Sequence, residues 1–168
     1  MRPLPESEIL IGFAEIGVVF AGFAGISIVL GRRNPSDWSD LDAARLRWMI
    51  WHSFASAGFA LLPLLIHGLG LSEPRTWFIA SGLFLAFHLW FQGYAIVATH
   101  RLYREGVEDR VPLPMMVIVF SSALGALASL AANLASTEPG FGLYFPGLMF
   151  TAAFAALMFL RTLSVLRQ

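Results

Sequence analysis

The chain has 168 residues, 57% apolar and only 13% charged, with 11 basic and 11 acidic side chains and a formal net charge of zero. An ordinary soluble domain carries about twice that charged fraction, so the composition excludes a free cytosolic enzyme and a disordered tail. With no Cys there is no disulfide scaffold or thiolate metal site, and with zero net charge no field gathers nucleic acid, so no nucleic-acid partner is expected.

Five segments reach the roughly 20 apolar residues that cross a hydrocarbon core of about 30 Å. They predict an all-α polytopic membrane protein, a bundle of five transmembrane helices at about 9–30, 47–69, 75–99, 113–135 and 142–163. Gly, Pro and charge punctuate the breaks, as in Gly31-Arg32-Arg33-Asn34-Pro35, Gly70-Leu71-Ser72-Glu73-Pro74 and Glu138-Pro139-Gly140. The connections are short, so consecutive helices are expected to be antiparallel neighbours and residues 1–168 to form a single transmembrane helical domain.

The first segment is too long for the apolar part of a signal peptide and is followed by two Arg, so it reads as an anchor that stays. Glu8, Glu15 and Gly22 recur every seven residues, with Ile11, Gly12, Val19, Ile26 and Val29 on the same side. Gly12, Gly17, Gly22 and Gly25 offer flat surface for close helix packing. This face either lines an ion path, with Glu15 about 9 Å below the outer surface, or packs in the bundle core around a protonated or hydrogen-bonded Glu15.

In the second segment, Ser39 and Asp42 are spaced like a capping box, and Pro63 removes a backbone donor and predicts a kink. Trp38, Trp48 and Trp51 at one boundary and Trp77 at the other read as an aromatic belt. His52 and Ser56 stand one turn apart, and His67 lies near the far end. The third segment carries a polar stripe of His88 and Gln92 with Ser81 and Thr99. The fourth places Ser122, Ser129, Asn133 and Ser136 on one side around Gly125 and Ala126, and interhelical hydrogen bonding is the ordinary use of such residues. The fifth, apolar apart from Thr151, is expected to face lipid or a neighbouring subunit.

All 11 basic residues are Arg, which suggests a GC-rich bacterial source. Nine of them fall on one side of the five spans, and only Arg2 and Arg75 on the other. The positive-inside rule then puts the N-terminus outside and the C-terminus in the cytoplasm.

Three functional classes follow. The first is an oligomeric channel or transport protein for a small cation or proton, a homo-oligomer in the bilayer, with Glu15 and Glu8 on the ion path and His67, His88 and Gln92 as secondary polar lining. A Glu15–His67 contact would make such a path respond to pH. The second is a structural or accessory subunit. The third is an electron carrier that binds haem b or a quinone through paired His, against which stands a mismatch of about 6 Å in depth between His52 and His100. No phosphate loop, HExxH, Gly-x-Ser-x-Gly or carboxylate cluster is present, so neither an enzyme nor a bound metal is expected, and no resident cofactor unless the haem alternative holds.

The run AEIGVVFAGFAG at 14–25 followed by Gly31-Arg32-Arg33, with Leu46-Arg47-Trp48 and Leu61-Leu62-Pro63-Leu64, resembles a loose group of small bacterial multi-pass inner-membrane proteins. The likeness covers mainly the first two helices. It implies a bacterial inner (cytoplasmic) membrane and carries no activity across.

Overall fold

A computed structural model describes residues 3–30, 40–104 and 113–166. Within them the chain forms five helices and no strand: α1 Ser7–Leu30, α2 Asp40–Gly68, α3 Glu73–Arg104, α4 Leu113–Ala135 and α5 Phe141–Leu166. Each is long and apolar enough to cross a membrane, so the chain is built as a multi-pass membrane protein. Trp38, Ser39, Arg2, Arg32, Arg33, Arg110 and Arg167, used above for the belt, the cap and the orientation, lie outside the described residues.

Every consecutive pair of helices is in contact, and the register of α1 on α2 is antiparallel, with Ala24 clustered with Met49 and Gly17 set against Ser53 and Ala57. A Cβ at Gly17 would lie 2.6 Å from the Ser53 carbonyl oxygen and 2.7 Å from the Ala57 nitrogen, so only glycine permits this approach of two backbones. Gly12, Gly22 and Gly25 have nothing within 4 Å of such a Cβ, and within one chain they pack nothing closely.

Two expectations are corrected here. α5 is not mainly a lipid-facing helix: it touches all four other helices and is the centre of the bundle, and only a strip with Leu143, Met149 and Leu160 stays exposed. Its small residues explain this, because Gly147 lets the Phe84 ring approach and Ala155 is fully buried, and an interior surrounded by lipid has no need of polarity. Trp77 stands near the start of α3 but is not a lipid-facing belt residue: it is fully buried against Phe141 and Tyr144.

The bundle has two unlike ends. At the end that holds the Leu69–Ser72 turn, where Gly70 takes a positive φ of 92°, and residues 136–140, one core joins α1 to α5 through Leu10, Trp77, Phe84, Leu130 and Tyr144. Asn133 of α4 stitches this end, donating to Ser81 Oγ at 2.8 Å and to the Gly140 carbonyl at 3.0 Å and accepting from the Gly140 N–H at 2.8 Å. α2 continues through Pro63, which has no N–H to give the Phe59 carbonyl one turn earlier. Tyr144 of α5 supplies the missing donor, its hydroxyl bonding that carbonyl at 2.6 Å. Among the described residues, the opposite end has smaller clusters in place of a single core.

Candidate functional site: a cavity between α2, α3, α4 and α5

At the opposite end the helices enclose a cavity of about 450 Å³. α2 contributes Trp48 and His52, α5 Phe150 and Phe154, and α3 and α4 the remaining walls. A volume of this size suits a small organic molecule.

His52 is the best-fixed polar group in it, only 1% exposed. Its Nδ1 lies 3.0 Å from the Trp48 carbonyl, which can only accept, so Nδ1 carries the proton and Nε2 of the neutral ring keeps its lone pair. Phe91, perpendicular to the imidazole, and Phe154, tilted by 35° to it, both with centroids at 4.3 Å, hold the ring in place. Gln92 and His100, two turns apart on α3, line the same cavity. They add an amide and a second imidazole to an otherwise aromatic and aliphatic surface. On the α3–α4 side the lining residues Ile96 and Phe120 are 61% and 60% exposed, so the cavity opens sideways at the level of the apolar spans.

His88, one turn before Gln92, turns away from this opening. It is 1% exposed, stacks on Phe84 at 4.7 Å and is hydrogen-bonded to the backbone of Gly147, while its Nε2 has no hydrogen-bond partner. His52 and His88 both pack on Phe150, so the two buried imidazoles share one aromatic wall.

The residues first grouped as an ion path do not converge within the chain. Glu8, Glu15 and Gly22 do share one face of α1, but that face points out of the bundle, while Leu10, Ala14, Gly17 and Ala24 turn inward. The Glu15–His67 contact is not formed: Gly17 sits level with Ser53 and Ala57, which leaves His67 about 15 Å further along α2 than Glu15. His88 and Gln92 belong to the interior between α3 and α5 and not to the face of α1. Conversely, the structure brings His52 and His100 to one cavity, which the depth argument had set apart. Trp48 was read only as a belt residue, and Phe150 and Phe154 were not singled out; their signal was aromatic residues on two spans, which lipid-facing helices show equally.

Comparison with family models, curated proteins and solved structures finds no match for this chain.

Proposed function

We propose that this membrane protein binds a flat, lipid-soluble ring of the quinone or hydroquinone type in the cavity between α2, α3, α4 and α5. The observation that carries the proposal is the sideways opening at Ile96 and Phe120 onto a cavity backed by His52. A ligand dissolved in the bilayer enters there without crossing water. Inside, the Gln92 amide donates to a quinone carbonyl, and His52 Nε2 accepts from a hydroquinone hydroxyl. Aromatic walls supply the rest of the affinity. The role is binding or carriage and not catalysis. The resemblance and the arginine distribution support a bacterial inner membrane, with the cavity end of the bundle and the C-terminus in the cytoplasm and the N-terminus outside.

The test is a titration of the detergent-purified protein with a short-chain benzoquinone, followed by quenching of tryptophan fluorescence, since Trp48 lines the cavity. Saturable quenching is expected, with quinone affinity lowered about tenfold in Gln92→Leu and, in a parallel titration with the corresponding hydroquinone, affinity lowered about tenfold in His52→Leu, the cost of one lost hydrogen bond each. Identical quenching in wild type and both variants overturns the proposal. A Soret band in the purified protein that is lost in His52→Leu would instead assign His52 Nε2 to haem iron.

A second reading has its own observation. Glu15 is exposed near the middle of α1, where a carboxylate facing lipid is costly. Homo-oligomers that turn this face towards a shared wet axis would place Glu15 and Glu8 along a path for a small cation or proton. Glu15→Gln keeps the shape of the side chain and removes its charge. Lower ion flux in liposomes at unchanged thermal stability supports that path, and unchanged flux and selectivity removes it.

A further inference from the structure

We propose that the groove between the first turns of α2 and the last turns of α3 binds the headgroup of an anionic phospholipid, held by Arg47 and Arg101. The groove encloses about 350 Å³ on the other side of Trp48 from the ring cavity, and Asp40, Arg47, Tyr94 and Arg101 form its polar lining. Arg47 Nη1 donates to the Tyr94 hydroxyl at 3.2 Å, which fixes the guanidinium across the gap between the two helices. Among the described residues that line it, two guanidinium groups and one carboxylate leave a single positive charge, the complement of one phosphodiester. Guanidinium groups present paired N–H donors to phosphate oxygens, and basic pockets between membrane helices are favourable places for such headgroups.

The level and the surroundings make the source a lipid. Arg101 closes the apolar span of α3, and Arg47 lies one turn inside that of α2, so the groove sits at a membrane boundary. Directly beneath it, towards the membrane centre, runs a wall of exposed rings. Tyr94 stacks on Trp90 at 6.2 Å, and Trp90 meets Trp51 of α2 at 5.4 Å. Trp90 and Tyr94 lie nearly parallel and about 6 Å apart along the helix axis, with Trp51 tilted against them from α2, and this largely apolar surface gives an acyl chain a place to lie while the head stays with the arginines. A free phosphate ion has no use for it.

Native mass spectrometry of the full chain in mild detergent, with equal amounts of phosphatidylglycerol and phosphatidylcholine, tests this. Wild type is expected to retain phosphatidylglycerol in preference, with about a fivefold loss for each of Arg47→Gln and Arg101→Gln, the contribution of one basic residue near the surface. Both side chains are exposed, an unchanged unfolding temperature checks that each variant keeps the fold, and Arg75→Gln at the other end of α3 is expected to retain the lipid as wild type does. Equal retention of the two lipids, or equal retention by wild type and the double variant, overturns the proposal. Displacement of phosphatidylglycerol by millimolar inorganic phosphate overturns the lipid source and reassigns the groove to a soluble phosphate.

Discussion

The two ends of this bundle use the same kinds of residue to opposite effect. At the end of the short turns, Trp77, Phe84 and Tyr144 interlock around α5, and Asn133 closes every polar group it touches. At the other end, Phe91 on α3 and the touching pair Phe150 and Phe154 on α5 surround His52 and still leave a cavity and a groove on either side of Trp48. Aromatic content therefore does not decide whether a membrane bundle is solid. The deciding feature is whether a small residue lets the central helix come close, as Gly147 does for Phe84 at the closed end.

Four substitutions sharpen this contrast, from the largest effect to the smallest. Gly147→Leu forces atoms into space where a Cβ alone would lie 2.8 Å from the Phe84 ring, and about 3 kcal/mol of stability should be lost, read as a lower unfolding temperature in detergent. Asn133→Leu removes three hydrogen bonds at the closed end and should cost about 2 kcal/mol by the same measurement. Tyr144→Phe leaves the Phe59 carbonyl with neither its helical partner nor its replacement, a loss of about 1 kcal/mol or slightly more. Ala123→Leu adds volume of the same kind at the open end, where Ala123 lines the cavity; stability should change by less than about 1 kcal/mol while quinone quenching disappears. If Ala123→Leu proved as damaging as Gly147→Leu, the difference between the two ends would be void.

The number and extent of the helices were legible because a hydrocarbon core imposes a length, and α4 ends where the sequence ends it. The shared face of Glu8, Glu15 and Gly22 was legible from their spacing of seven. Whether that face looked in or out was not, since lipid and protein interior are equally apolar and hydropathy cannot separate them. The same ambiguity misplaced α5, whose lack of polar residues is as suited to the centre as to the rim, and Trp77, whose position near a span end matched a belt. Asn133 was readable as an interhelical hydrogen-bonding residue, but not its partners, because nothing in the sequence couples position 133 to 81 or 140. The cavity was hidden for a related reason. It depends on the gap left between four helices, and His52 and His100 meet there although they are nearly fifty residues apart.

The bond between Tyr144 and Phe59 also sets a timetable for biosynthesis. The two residues are 85 positions apart. At translation rates of about 5 to 20 residues per second, α2 spends roughly 4 to 17 s in the translocon or bilayer before its partner is made. Through that interval the carbonyl bared by Pro63 depends on water or on the insertion machinery. The α1–α2 pair, already joined at Gly17, therefore has to hold while α3 and α4 emerge and pack, and the helix that completes the assembly is the one that the ribosome delivers after those four.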